Sequence, residues 1–211
     1  MKRLVDKDIP DRKDVLYIKT DDIKYFFYYD FLGRSSSVQG DVVGGTWDLK
    51  VQKREDVLAN TDKYNGIRQH FSEGIPWQDT VLFRREYAKR LCSQGTIKGA
   101  STLPELAELY EKKYDMLFEQ LKQKGFLSID DDGRIDPVYI YLNRYGEIIY
   151  TSNGNHRLAM ALLLEIEEIP VLVWWRHKKW QDTRKKYGKL KISERKEQYP
   201  ELLGHPDLLK L

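Results

Sequence analysis

The segment from Thr151 to Arg157 is the part of this chain whose residue types and spacing best suit chemistry on an anion. It is polar, contains a glycine and ends in Asn155, His156 and Arg157. The apolar stretch Leu158–Leu164 follows and predicts a buried helix, whose free N–H groups and positive dipole end would face the segment. The guanidinium of Arg157 matches the geometry of phosphate oxygens. We therefore predict a phosphate-binding site at the start of a helix.

Two predicted strands precede this segment, and a third follows the apolar stretch. Runs of β-branched and aromatic residues predict strands at Val138–Leu142, Ile148–Tyr150 and Ile169–Val173, with a turn between the first two. Upstream, apolar residues that step by three and four predict an amphipathic helix. These residues are Leu103, Leu106, Tyr110, Tyr114, Leu117 and Leu121. Thr102 is positioned to cap the start of this helix, and Gly125 to end it.

This order of helix, hairpin, loop, buried helix and strand resembles the ParB/sulfiredoxin superfamily. Its members place a Gly-x-[His/Arg]-Arg signature between a hairpin and a helix, and residues 154–157 stand at that place here. The resemblance covers residues 114–176 and implies an α+β fold with a small mixed sheet and helices. It also implies that the signature holds the phosphates of ATP, CTP or another nucleotide. The implied nucleotide-binding residues are Asn153, Gly154, Asn155, His156 and Arg157.

The branches of this superfamily differ in what they do. Sulfiredoxins carry a cysteine immediately before the His-Arg pair, where this chain has Asn155, and the one cysteine here is Cys92. We therefore do not expect sulfiredoxin chemistry, and we expect Cys92 to be dispensable. Chromosome-partitioning ParB proteins add a helix-turn-helix domain, for which we expect too few residues after the last predicted strand. A third branch contains small-molecule kinases such as free-serine kinases, and no residue of the sequence argues against that branch.

A helical insertion is predicted at about residues 58–99, in a region where relatives connect their elements more briefly. Two helices are predicted within it, Leu58–Phe71 and Asp79–Cys92, and glycines follow both. Asp79 is interpreted as the N-cap of the second helix. We expect one domain over residues 1–211 that carries this insertion and a basic helical tail at about 178–211.

Phosphoryl transfer needs an acid or base close to the acceptor hydroxyl as well as bound phosphates. Asp48, which follows the flexible pair Gly44–Gly45, is the preferred carboxylate, and Glu73 is the second candidate. His156 is expected either to contact phosphate or to orient a catalytic carboxylate. Replacing Asp48 with Asn is expected to lower transfer by roughly 10²-fold while nucleotide affinity changes little.

Arg176 and His177 form a second candidate pair for phosphate binding, because they follow the strand Ile169–Val173. A structural role for the two is equally compatible with that position. His70 and His205 lack metal-ligand spacing with Cys or another His, so no zinc site is predicted. Any metal is expected to be Mg²⁺ that arrives with the nucleotide.

Composition limits the choice of function. The chain has 211 residues, 33% charged residues and a mean hydropathy of −0.64, and it has no apolar run long enough to span a membrane. One cysteine and the lack of a signal sequence favour the cytoplasm. Residues 176–196 carry an excess of Lys and Arg. This excess suits binding of nucleic acid, anionic lipid or a nucleotide, or else a solvated amphipathic helix with Trp180 and Tyr187 on its buried side. The solvated helix is the preferred interpretation, because no glycine- or aromatic-interleaved RNA-binding motif accompanies the basic residues.

These sequence features bear on three possible functions. The preferred hypothesis is an ATP- or ADP-dependent kinase that acts on a small hydroxylated metabolite or sugar. The alternative is a nucleotide-binding module that contacts nucleic acid through the basic tail without small-molecule chemistry. A nuclease is disfavoured, because the sequence lacks a carboxylate cluster suited to two-metal cleavage.

Overall fold

The structure, a computed structural model, describes residues 15–27, 40–126, 138–151 and 154–211. Within these residues the chain divides into two compact units. The first unit takes its described residues from the ranges Met1–Gln52, Pro137–Asn153 and Pro170–Leu211, and the second from Lys53–Asp136 and Gly154–Ile169. Strands are concentrated in the first unit and helices in the second, so the chain is mixed α+β as the sequence predicts.

A mixed sheet of seven strands is formed by the described residues. The strands are β1 (Val15–Lys19), β2 (Ile23–Phe26), β3 (Asp41–Val43), β4 (Gln52–Lys53), β5 (Val138–Leu142), β6 (Ile148–Tyr150) and β7 (Glu168–His177). Their order is β1-β7-β5-β6-β2-β4, and β3 also pairs with β7. The strands β5 and β6 form an antiparallel hairpin. The strands β5 and β7 pair in parallel, as do β3 with β7 and β2 with β6.

The predicted strands are confirmed, with one difference in length. The strand predicted at Ile169–Val173 extends to His177 as β7 and is buried along most of its length. Its apolar composition suits a central strand that is covered on both faces. The two short strands β3 and β4 were not predicted, because two or three residues are too few to show a period.

Helices make up most of the second unit. They are α1 (Arg54–Asn60), α2 (Asp62–Glu73), α3 (Ala88–Gln94), α4 (Leu103–Tyr110), α5 (Met116–Lys124) and α6 (Asn155–Leu163). Two π-helical segments, Leu82–Tyr87 and Glu111–Asp115, lead into α3 and α5. The first unit adds α7 (Lys178–Gly188) and α8 (Ile192–Gln198).

The predicted helices of the insertion differ from the structure at their starts. The single helix predicted at Leu58–Phe71 is divided at Thr61, whose extended backbone separates α1 from α2. Asp79 does not cap the next helix as interpreted, because the carbonyl of Thr80 accepts the first hydrogen bonds of that helix and the N-cap side chain makes no capping hydrogen bond. The carboxylate of Asp79 instead accepts a hydrogen bond from Arg84 at 2.7 Å. Thr102 does cap α4, where its hydroxyl accepts a hydrogen bond from the backbone N–H of Glu105 at 3.3 Å.

The predicted apolar stripe forms the core of the second unit. Leu106, Tyr110, Tyr114 and Leu121 are buried there. The fully buried Met160 of α6 belongs to the same cluster. Helix α6 and the predicted stripe therefore share one apolar core.

Helix α7, in the basic tail, has the buried side that the sequence predicts. Trp180 and Tyr187 of α7 are buried, while Lys178, Lys179 and Lys186 are exposed. Trp180 also excludes any side chain at Gly146, where a Cβ would lie 2.6 Å from the indole ring. This close approach explains the glycine in the hairpin turn.

Candidate functional site

Helix α6 begins at the predicted signature. Gly154 adopts the left-handed conformation, with φ of 85°, and its carbonyl accepts the first helical hydrogen bond from Leu158 N–H at 3.0 Å. The first turn of α6 contains no acidic residue. The positive end of the helix dipole is thus not offset by a carboxylate within the helix. Asn153 lies outside the described residues.

His156, in this first turn, packs among tyrosines of the second unit. Its ring is stacked on Tyr114, with the ring centroids 4.1 Å apart and the planes at 16°. Its Nε2 lies 3.3 Å from the hydroxyl of Tyr110. One face and one nitrogen of the imidazole are therefore fixed by helix α4 and by the π-helical segment that follows it.

The positive charges of three lysines act on the imidazole of His156. Burial, and then the charges of Lys63, Lys98 and Lys113, lower the pKa of His156 from 6.5 to about 3. The imidazole is therefore neutral at pH 7. The lysines come from α2, from the turn before α4 and from the second π-helical segment. Residues far apart in sequence thus place positive charge around the first turn of α6.

The amine of Lys98 lies over the aromatic side chains. Its Nζ donates a hydrogen bond to the hydroxyl of Tyr114 at 2.9 Å and lies 4.8 Å from the ring centroid of Tyr110. Lys113 Nζ lies 5.4 Å from the ring centroid of Tyr114. These are cation–π distances. Lys98 itself has a φ of 52°, within the turn closed by the bridge between Ile97 and Ala100.

Two of these lysines also have lowered pKa values. Burial lowers the pKa of Lys63, and the charges of Arg90 and Lys98 lower it further, although Glu86 opposes them. Burial of the amine and the charge of Arg90 lower the pKa of Lys98. The charged groups that act on these two lysines thus include two cations, Arg90 and Lys98, and one carboxylate, Glu86. An anionic ligand would reduce the repulsion between the cations.

Asp48, in the first unit, lies in an ion pair with Arg144. The side-chain Nε and Nη2 of Arg144 donate to its two oxygens at 2.7 Å each, and the Arg144 backbone N–H donates at 3.1 Å. Burial alone would raise the pKa of Asp48, but these hydrogen bonds outweigh it and hold the pKa below its usual range. A carboxylate bound in this way is a weak base, so its geometry does not favour the predicted catalytic role.

The other candidate carboxylate and the second candidate pair also have protein partners. Glu73, at the end of α2, forms an exposed ion pair with Arg68. Arg176 is 3% exposed, and its Nε donates to the carboxylate of Asp207 at 2.9 Å. His177 Nε2 lies 3.1 Å from the carbonyl oxygen of Gly45. Their predicted roles in catalysis and phosphate binding stay predictions, and the local geometry is that of structural contacts.

Asp207 is the centre of a buried cluster in the first unit. Besides Arg176, it accepts hydrogen bonds from Trp180 Nε1 at 2.9 Å, and Arg184 Nε lies 3.0 Å from its Oδ2. Two guanidinium groups and an indole thus share one carboxylate close to the carboxyl-terminal residue of the chain. This arrangement accounts for the two buried arginines without a ligand.

The residues that sequence reasoning missed are the lysines and tyrosines around His156. Tyr110 and Tyr114 were predicted only as core residues, and Lys63, Lys98 and Lys113 were not singled out. Their spacing carries no signal of convergence, because they lie on three separate segments. Counting basic residues close to the signature does not identify the three lysines either, since they precede residues 154–157 by more than forty residues.

The part of the chain that the structure describes contains no group of three His, Cys, Asp or Glu side chains suited to a metal ion. No helix among the described residues is long and apolar enough to cross a membrane. No protein-family model matches the chain, and no curated protein or solved structure is significantly similar to it.

Proposed function

We propose that this protein binds a phosphate-bearing nucleotide at the first turn of α6 and is a phosphotransferase that acts on a small hydroxylated substrate. Gly154, Asn155, His156 and Arg157 would hold the phosphates, and Lys63 and Lys98 would supply further positive charge. Mg²⁺ would arrive with the nucleotide. The kinase step rests on the resemblance stated above, whereas the anion site also rests on the geometry of the second unit.

The observation that carries the proposal is the excess of positive charge around a neutral histidine. Lys63, Lys98 and Lys113 act on His156, and Arg90 acts on both Lys63 and Lys98. Glu86 is the carboxylate that acts on Lys63 among the described residues. Keeping several cations close together raises the free energy of the folded state unless an anion is present. A phosphate group, with a charge of about −2, would offset this repulsion.

We further propose that the chain adopts the ParB/sulfiredoxin fold. The helix α5, the hairpin β5–β6, the glycine at the start of α6, and the strand β7 follow one another in the order that the resemblance requires. The parallel pairing of β7 with β5 returns the chain to the sheet after α6. This order supports the family proposal and is independent of the lysine cluster.

Nucleotide binding by wild-type protein and by an Arg157→Ala variant tests the proposal. Loss of one charge-assisted hydrogen bond should weaken binding of ATP, ADP or CTP by about 1.5–3 kcal/mol in calorimetry. Arg85→Ala is a matched control, because Arg85 is an exposed arginine of the same unit with a distant partner, Asp62, at 3.7 Å. Wild-type protein that binds none of these nucleotides, with or without Mg²⁺, would exclude the proposed function.

The basic face of α7 supports the second candidate function, contact with nucleic acid. Lys178, Lys179 and Lys186 are exposed on that helix. Phosphate backbones bind such a face with an affinity that falls steeply as salt increases. Salt-dependent binding of DNA or RNA without phosphoryl transfer to any small hydroxylated compound would favour this function over the first.

A further inference from the structure

A chain of hydrogen bonds connects two buried tyrosines to His156. Tyr87, at the end of the first π-helical segment, is 3% exposed, and Tyr110, at the end of α4, is fully buried. Their hydroxyls are hydrogen-bonded to each other. The hydroxyl of Tyr110 also lies 3.3 Å from Nε2 of His156. All three residues belong to the second unit.

Only one direction of these hydrogen bonds lets the hydroxyls of both Tyr87 and Tyr110 donate. Within the described residues, Tyr110 is the one hydrogen-bond partner of the Tyr87 hydroxyl, so Tyr87 must donate to Tyr110. Tyr110 then has to donate to Nε2 of His156. The reverse direction would leave a buried O–H without an acceptor, which costs about 1–3 kcal/mol. Both tyrosines are buried, so bulk water does not reach this pair of hydroxyls.

This direction determines the tautomer of the histidine. Because Nε2 accepts a hydrogen bond, the proton of the neutral ring has to be on Nδ1. Among the described residues, the structure gives Nδ1 no acceptor, and the His156 side chain is only partly buried. An N–H donor in the first turn of α6 is thus available to a ligand.

We propose that His156 is a neutral hydrogen-bond donor to an oxygen of the bound phosphate, through Nδ1–H, and that Tyr110, which accepts a hydrogen bond from Tyr87, is the positioning residue that holds it in this form. This inference rests on the proposed function for the identity of the ligand. The tautomer itself rests on the tyrosine chain alone. His156 accordingly acts as neither a general base nor an imidazolium at neutral pH.

The environment of the ring is consistent with this role. Protonation at Nε2 would remove the acceptor for Tyr110, and the O–H of one tyrosine would then be left unpaired. Burial and the neighbouring lysines lower the pKa of His156 to about 3, while burial raises the pKa of Tyr87 to about 12. Both groups are therefore neutral across the physiological range of pH.

Nitrogen NMR of the imidazole rings tests the tautomer directly. The chain has four histidines, and His156→Gln assigns the signals of this one. We expect the Nδ1–H form at pH 7 and no titration down to pH 5. Tyr110→Phe should give a mixture of tautomers, because Nε2 loses its donor. Tyr87→Phe should retain the wild-type form, since Tyr110 still donates to Nε2, and Tyr114→Phe should retain it as a control for packing.

An Nε2–H ring in the wild type would overturn the inference, and so would a Tyr110→Phe ring that keeps the wild-type tautomer. The proposed hydrogen bond from His156 to phosphate is tested by adding MgADP. We expect the Nδ1–H proton signal to shift on saturation, and Tyr110→Phe to lower affinity about three- to tenfold, the effect of weakening one hydrogen bond. MgADP binding that leaves this proton signal unchanged would refute the donor role. If wild-type protein binds no nucleotide, the proposed function and the donor role both fail, whereas the tautomer is still decided by the spectrum.

Discussion

The charge and basicity of each candidate residue depend on its immediate partners. Asp48 and His156 were both predicted to take part in catalysis, yet their surroundings differ in kind. Three N–H groups of Arg144 keep Asp48 ionised and weakly basic. Burial and positive charge keep His156 neutral. The ion pair of Asp48 stabilises the fold, whereas the neutral imidazole of His156 can donate a hydrogen bond to an anion.

We predict that Asp48→Asn destabilises the first unit. The substitution leaves the Arg144 guanidinium, whose side chain is 14% exposed, without its counter-charge and opposes it with an amide N–H₂. Removing one partner of an ion pair leaves the other charge without compensation, so the free energy of unfolding should fall. Urea unfolding of the variant and the wild type measures the difference. Asp79→Asn is the matched control, because its exposed pair with Arg84 should contribute less than about 1 kcal/mol.

The same variant separates the structural role of Asp48 from its predicted catalytic role. If Asp48→Asn unfolds at the same urea concentration as the wild type but loses phosphoryl transfer per folded molecule, the structural account is wrong and the catalytic prediction stands. If stability falls and transfer by the remaining folded protein is unchanged, Asp48 is a structural residue.

Sequence patterns located some of these residues but could not reveal their partners. The signature at residues 154–157 was recognisable, because a glycine, a polar pair and an apolar helix follow in order. The partner of Arg176 is 31 residues away, in a short turn near the end of the chain, so the sequence alone does not distinguish a phosphate from a protein carboxylate as that partner. Side-chain pairing over such separations depends on tertiary structure, which residue spacing does not encode.

At the scale of elements, the helix periods were the most informative part of the sequence. The stripe from Leu103 to Leu121 predicted the long helical region and its buried face. It did not predict that residues 111–115 are π-helical, because a local i→i+5 turn leaves the three-and-four stepping almost unchanged. The two π-helical segments carry Tyr87 and Tyr114, so their unusual geometry coincides with the candidate site.

Close packing of α2 against the first π-helical segment depends on Gly66. A Cβ at this position would lie 2.4 Å from Cβ of Leu82 and 3.0 Å from its backbone nitrogen. We predict that Gly66→Ala destabilises the protein by about 1–3 kcal/mol, the range for overpacking, even though alanine is the better helix former. Thermal or urea unfolding measures this.

Gly188→Ala in α7 is the matched control for that substitution. Its Cβ would meet Leu211 at 3.7 Å, an ordinary van der Waals distance. This variant should be as stable as the wild type or slightly more stable. If Gly66→Ala were equally well tolerated, the close approach of α2 to Leu82 would not constrain the fold.

For the whole molecule, each compact unit has its own apolar core. Trp47 and Phe27 pack with the sheet in the first unit, and Trp77 and Leu106 lie in the core of the second. The sequence predicted the helical region as an insertion into one domain, but it did not show that α6 shares a core with this region. That association follows from long-range packing of Met160, which a local pattern cannot specify.

Stability of the whole chain should fall as the pH drops below about 6.5. The folded-state pKa of His156 is lowered from 6.5 to about 3, and burial, opposed by a hydrogen bond to Gly146, lowers that of His205. The unfolded state therefore binds protons more readily, so the free energy of unfolding rises with pH in this range. His156 contributes up to about 1.4 kcal/mol per pH unit in this range, and His205 adds to the slope in the same direction.

Urea unfolding at pH 7, 6 and 5, followed by circular dichroism, measures this slope. These values lie above the range in which the lowered pKa of Asp48 would add its own loss of stability on acidification. His156→Gln should reduce the slope by up to about 1.4 kcal/mol per pH unit, since the buried proton acceptor is gone. His205→Gln should reduce it separately and leave the contribution of His156. A wild-type slope of zero between pH 5 and 6 would mean that His156 is protonated in the folded protein, and the cationic surroundings described for it would then be wrong.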